Sequence, residues 1–403
     1  MKNWKRLAAL ALSGALALTL CACDLAGKPT GGDPTGSPGL PSAQPSGDPE
    51  PTPTIQVDLS QDALAFSAGL SGSDTLLTIN GTQLPADLVL YWLGMSCGNF
   101  MSQYGMFGLQ LTDKPDPNGE DTFADLMVNS AANIAAYYTV LRQRAAELGC
   151  LPTDAQLKAA KDSMPADTVE MLRSGYGLSD ESIDYLSLAD AYYDNVLNAV
   201  THEPSGQELA DFINEAGVFR VKHILLKTVD DSNQPLADDV VAGKKAQADD
   251  LLAQLQAVGA DGLEAKFDEL MNQHSEDGGL AANPDGYTFD STASLVGGFR
   301  EAALALAEGG LSGVVETDYG YHIMLRLPLA DETVAQYRDG FRADALGALV
   351  QQWTDEADIV RADALSTLDT VSFFERQMAY QQALSERDAP AGGGAPEEGQ
   401  PAG

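Results

Sequence analysis

Apolar positions in the first half of the chain recur at helical spacing. Phe123, Leu126, Met127, Ile134, Tyr137, Tyr138, Leu141, Ala145 and Leu148 fall on one stripe, and Gly149 is a fitting stop. Further helix starts are expected after Pro85-Ala86-Asp87, at Pro152-Thr153-Asp154 and at Ser179-Asp180-Glu181-Ser182. The last should run through Tyr185, Leu188, Tyr192 and Val196. Ahead of them, Leu77 to Leu84 reads as a strand turning at Asn80-Gly81. Residues 76–217 are therefore expected to be a mainly helical N-terminal domain.

The period changes at Phe219. Phe219, Val221, His223 and Leu225 alternate with Arg220 and Lys222, which is strand spacing. A polar loop, 229–238, follows. Ala248, Leu251, Leu252 and Leu255 mark a helix, and Phe267, Leu270 and Met271 a second. Pro284-Asp285-Gly286 signals a turn. Phe299, Ala302, Ala303 and Leu306 mark a third helix, stopped by Gly309-Gly310. Val314–Glu316 and Tyr321–Leu327 read as two strands joined at Asp318-Tyr319-Gly320. This order predicts an α+β domain with a small antiparallel sheet over residues 218–328.

Beyond Pro328 the helical period returns. Val334, Tyr337, Phe341, Ala345 and Leu349 share a face. Trp353, Ile359, Val360, Phe373, Phe374, Met378 and Tyr380 continue the apolar pattern. Residues 329–388 are expected as helices packing on the N-terminal domain, with the central α+β module inserted between the two helical segments.

The ends have a different composition. Lys2, Lys5 and Arg6 precede an apolar run from Leu7 to Leu20, too short to span a bilayer. The run leads into Leu20-Cys21-Ala22-Cys23. Cys23, preceded by the small Ala22, fits the cysteine that receives lipid in a bacterial lipoprotein, whereas Leu20 before Cys21 does not fit. Residues 1–22 are read as a signal peptide, and 23–75 as the lipidated cysteine and a disordered tether rich in Gly, Pro, Ser, Thr and Asp. Residues 389–403 read as a disordered tail.

Charge narrows the function classes. With 23 basic against 59 acidic residues, a net charge of −36, nucleic acid is not expected as a partner. Direct adsorption to an anionic membrane is disfavoured for the same reason, so membrane contact is assigned to the lipid. Cys97 and Cys150 would remain after cleavage, and nothing in their spacing shows that they meet. No Cys or His spacing suggests a metal site, and no cofactor is expected.

The chain has four histidines, two of them on paired strand signals. Taken alone, His223 on an apolar strand reads as a core histidine, Asp277 as a turn residue and Phe299 as core. The order and spacing of the set change that reading. Val221-Lys-His-Ile-Leu-Leu226, Ser275-Glu-Asp-Gly-Gly279, Asn283-Pro-Asp-Gly-Tyr-Thr-Phe289, Val296-Gly-Gly-Phe299, Gly309-Gly-Leu-Ser312 and Thr317-Asp-Tyr-Gly-Tyr-His-Ile323 together resemble a parvulin-type peptidyl-prolyl isomerase domain. With the lipid-attachment motif and helical flanks, the whole chain resembles the PrsA-like extracytoplasmic foldase lipoproteins of Gram-positive bacteria.

The resemblance implies a site. It puts His223 and His322 at the two histidine positions, with Asp277 where members carry cysteine or aspartate. Leu295 falls where methionine is common, and Phe299 matches the phenylalanine of the proline pocket. Thr317 matches a threonine position of the site, and Tyr319 replaces the serine of some members. The implied roles are a histidine floor, linked directly or through Thr317 and tuned by Asp277, and a proline grip from Leu295 and Phe299. The implied partners are unfolded exported proteins with X-Pro bonds, at the outer face of the cell membrane. Monomer and homodimer both stay open. The alternative is a lipid-anchored holdase whose parvulin domain only binds. A solute-binding lipoprotein is disfavoured because no long βαβ series appears.

Overall fold

The computed structural model describes residues 55–388. The expected signal peptide, Cys23, the first part of the expected tether and the expected tail at 389–403 lie outside the described residues. In chain order the elements are α1 (Ala63–Ser67), β1 (Thr75–Ile79), β2 (Thr82–Pro85), α2 (Ala86–Tyr104), α3 (Phe123–Glu147), α4 (Asp154–Ser163), α5 (Ala166–Tyr176), α6 (Asp180–Ser187), α7 (Ala189–Val200) and α8 (Gly206–Glu215). Then follow β3 (Phe219–Lys227), α9 (Asp238–Gln256), α10 (Ala260–His274), β4 (Tyr287–Phe289), α11 (Gly297–Ala305), β5 (Val315–Thr317) and β6 (Gly320–Leu327). The chain closes with α12 (Asp331–Asp355), β7 (Ile359–Arg361), α13 (Asp363–Ser366) and α14 (Thr370–Asp388). The fold is thus α+β, with small antiparallel sheets and a central sheet-containing segment flanked by helical ones.

These elements form two units, one from the segments up to Val200 and from Leu346 onward, the other from Thr201 to Ala345. In the first, α2 and α3 bury Leu88, Val89, Trp92, Leu93, Met127, Ala131 and Ala135 in a shared core with Leu76, Leu77 and Ile79 of β1. Strand β1 pairs antiparallel with β2 on one side and β7 on the other. The helix expected through Ile359 and Val360 is therefore interrupted: Val360 pairs with Thr78 and Ile359 with Ile79. Backbone pairing to an existing strand decides the conformation of this short segment.

The tether expected to reach residue 75 ends earlier. Asp62 caps α1 by accepting from the Leu64 and Ala65 N–H groups, at 2.9 and 3.3 Å. Leu64 is 1% exposed, and Ala63 packs with Tyr380 and Leu384 of α14. The Tyr380 hydroxyl donates to the Gln61 carbonyl at 2.8 Å. Enough apolar surface is buried here to offset the ordering of the segment. Cys97, buried in α2, and the half-buried Cys150 are free thiols. Burial pushes the Cys97 thiol up to about 12, so it is a packing residue rather than a nucleophile.

In the second unit β4, β3, β6 and β5 lie in that order, each pair antiparallel. Both faces of the sheet are covered. Ile224, Leu226, Tyr321, Ile323 and Leu325 pack on Leu251, Leu255, Phe267 and Leu270 of α9 and α10. On that face Lys222 is buried between Glu264 and Asp268 of α10, its Nζ at 3.0 and 2.7 Å from their oxygens. The opposite face carries Phe219, Val221 and Met324 against Phe299 and Ala303 of α11. The unit extends beyond 218–328, because α8 packs Leu209 and Ile213 on Leu329, Val334 and Tyr337.

Candidate active site

His223 on β3 and His322 on β6 share the face that carries α11. Their Nδ1 atoms stand 3.3 Å apart and both rings are buried. Strand β4 pairs with β3 only over Phe219–Val221. Past that point the loop after α10 takes over the edge. Glu276 N–H donates to the Leu225 carbonyl at 2.8 Å, and Leu225 N–H to Ser275 Oγ at 3.1 Å. This docking delivers the next residue, Asp277, to His223, with Oδ2 at 3.3 Å from Nε2.

The remaining partners fix the protons. A carboxylate only accepts, so His223 donates Nε2–H to Asp277, and in the neutral ring its Nδ1 is the acceptor. His322 must then donate its Nδ1–H to His223. That leaves His322 Nε2 to accept from the Thr317 hydroxyl, 2.9 Å away, a donor shared with the more distant Gly320 carbonyl at 3.3 Å. Thr317 Oγ1 in turn accepts the Tyr319 N–H at 3.2 Å. One continuous chain of hydrogen bonds therefore runs from the β5–β6 turn to Asp277, each buried donor having an acceptor.

Electrostatics follow from this order. The hydrogen bond from His223 holds the Asp277 carboxyl well below the usual carboxylate range, helped by Tyr287 and the Gly279 N–H and opposed by burial. Burial, reinforced by the neighbouring His223, lowers His322 to about 4 against the pull of Asp277. At neutral pH His322 is uncharged.

Phe299 closes the apolar side. Its ring meets both imidazoles edge to face, with centroids 5.2 Å from each. Leu295 packs in the same cluster. His223, Asp277, His322, Leu295, Phe299 and Thr317 thus come together. Tyr319 reaches Thr317 through its backbone N–H, and the residue is 47% exposed.

Tyr287 was not singled out from the sequence, yet its hydroxyl donates to Asp277 Oδ2 and its ring meets His223 at 5.5 Å. Burial and the adjacent carboxylate push it up to about 12, so it keeps its proton. The available signal was the period-two pair Tyr287 and Phe289 directly after the Asn283-Pro284-Asp285-Gly286 turn. Asp277 here is hydrogen-bonded in place rather than exposed as a nucleophile. The arrangement suits a reaction in which no bond is made or broken.

An antiparallel sheet with two linked histidines, a carboxylate and a phenylalanine on one face defines a parvulin-type domain. Residues 223–327 match the family model of the PPIC-type PPIase (rotamase) domain, and this part of the chain is such a domain. Cbf2 of Campylobacter jejuni, assigned as a peptidyl-prolyl cis-trans isomerase, is 25% identical over 146 residues, covering 34% of this chain. The chain spans about half the length of that relative, 47%. Among solved structures, the peptidylprolyl isomerase PrsA of Bacillus cereus is similar over 76% of this chain and 99% of its own, with 18% identity and a TM-score of 0.29. A SurA-like chaperone of Campylobacter jejuni is similar over 70% of this chain and 96% of its own, with 19% identity and a TM-score of 0.22.

Proposed function

We propose that the protein is a peptidyl-prolyl cis-trans isomerase and foldase, held by a lipid on Cys23 at the outer face of the cell membrane, where it acts on exported proteins. The observation that carries the isomerase reading is the closed hydrogen-bond chain through His223 and His322 beneath the Phe299 ring. The leader and lipid-attachment motif support the location.

The chemistry asks for little. An X-Pro bond resists rotation by about 18–20 kcal/mol because of amide resonance. The twisted amide has lost that resonance and is less polar than either planar form. An apolar niche favours it, and every ~1.4 kcal/mol of preferential binding speeds exchange about tenfold. In this reading His223, Asp277 and His322 form a rigid floor that does not reorganise, with Thr317 completing it. Leu295 and Phe299 grip the proline ring, and Tyr319 borders the entrance.

The experiment is two-dimensional exchange NMR on a short X-Pro peptide with catalytic amounts of protein. Exchange peaks should appear with the wild type and vanish with Phe299→Ala. Uncatalysed exchange takes tens to hundreds of seconds, so acceleration is readily seen. No acceleration by the wild type sinks the reading.

A second reading, a holdase whose parvulin domain only binds, is favoured by apolar side chains open on the helical unit: Met95, Met106, Phe107, Met171 and Met378 are all exposed. Its signature is suppression of aggregation that is unchanged in Phe299→Ala.

A further inference from the structure

We propose that Tyr287 is a positioning residue of the histidine site, acting through Asp277 to hold His223 as its Nε2–H tautomer. Its link to turnover rests on the isomerase reading above; the tautomer itself does not.

Asp277 sits on an irregular loop, and its Oδ2 is the atom shared by His223 Nε2 and the Tyr287 hydroxyl. Tyr287, by contrast, sits on a strand. The β3–β4 register sets it opposite Val221, on the face that carries His223. Its ring stacks on Phe289 at 5.6 Å with 7° between the planes, and Phe289 meets Phe299 edge to face. The phenol is thus held by aromatic packing and transmits that rigidity to a loop carboxylate. Gly279 makes the contact feasible, because a Cβ there would overlap the Tyr287 hydroxyl.

The consequence reaches both histidines. Without the phenol donor the carboxylate is free to rotate away from Nε2. His223 then gains access to the Nδ1–H tautomer, which would set two N–H donors against each other across the 3.3 Å Nδ1–Nδ1 gap. The chain of hydrogen bonds to Thr317 loses its direction.

Long-range 1H–15N spectra of protein labelled with 15N-histidine, at neutral pH, report each ring nitrogen directly. In the wild type His223 should carry its proton on Nε2 and His322 on Nδ1. Tyr287→Phe should give mixed tautomers at His223 and lower catalysed exchange about tenfold, the scale of a lost hydrogen bond to a charged acceptor. Asp277→Asn keeps an acceptor oxygen and Tyr287, and should retain the wild-type tautomers. Gly279→Ala pushes the hydroxyl off Asp277 while leaving the phenol chemically intact. It should reproduce the mixed tautomers in the wild-type background and add nothing to Tyr287→Phe. Unchanged histidine spectra in both Tyr287→Phe and Gly279→Ala would overturn the proposal, whatever the activity. Shifted tautomers in a protein whose wild type shows no exchange would uphold it and defeat the isomerase reading alone.

Discussion

His223 and His322 meet diagonally, not as cross-strand partners. The β3–β6 register sets His223 against Met324 and His322 against Leu225. All four therefore share one face, and the two imidazoles approach across the gap between neighbouring pairs. A slip of one residue would carry either histidine to the face packed on α9 and α10. The hydrophobic pattern that fixes the register fixes the site with it, because Ile224, Ile323 and Leu325 must stay on the helix side.

Acid should destabilise the protein through His322. Its folded value of about 4 lies below the ordinary 6.5, so between those limits the unfolded chain binds more protons. Stability from this group is level above about pH 6.5 and falls as pH drops toward 4, by up to ~3 kcal/mol. Asp277 acts lower down: its folded value is depressed, so its contribution is lost only as pH falls below the ordinary 3.8. Urea unfolding at pH 7, 5.5 and 4 should show a shallower loss for His322→Gln than for wild type. Parallel pH curves would refute the assignment.

The histidine strands were legible because period-two alternation is written into Phe219–Leu225 and both strands are long. The candidate site residues came from the resemblance of whole segments to the parvulin pattern, carried over position by position. What the sequence hid has two physical origins. The three residues of β7 and the five of α1 carry no period to read, and they are ordered because Thr78 pairs with Val360 and Tyr380 packs on Ala63. Side-chain partners are also unwritten in a motif: Tyr287 lay inside a matched segment with no role of its own, yet its hydroxyl holds Asp277.

Leu64 tests whether the segment before β1 belongs to the fold. Its side chain sits in the helical core with Leu88 and Trp92. Leu64→Ala should cost about 2–5 kcal/mol, as for other buried leucines. A tether residue would cost nothing measurable. Chemical denaturation monitored by the tryptophans distinguishes the two.

Client preference should follow charge. With a net charge of −36, the protein should bind unfolded proline-containing peptides rich in Lys and Arg more tightly than acidic ones of equal hydrophobicity. Raising salt from about 0.01 to 1 M shortens the screening length from ~30 to ~3 Å and should erase the difference. Calorimetric titration at both salts checks this; a salt-independent preference would point to shape instead.

Gly286 links the turn to the site. Its φ of +96° disfavours any side chain, and an added Cβ would lie 2.8 Å from the Val221 carbonyl oxygen. That oxygen belongs to the strand that carries His223, so it cannot move aside without distorting the site. Gly286→Ala should destabilise by about 1–3 kcal/mol. It should also slow catalysed exchange, because Tyr287 is the next residue and would leave its register with Val221. Gly313→Ala, with open space around its Cβ, is the control and should be nearly neutral in both measurements. Equal stability of the two variants would show that the turn does not constrain β4. Loss of stability with full exchange activity would separate the turn from the site.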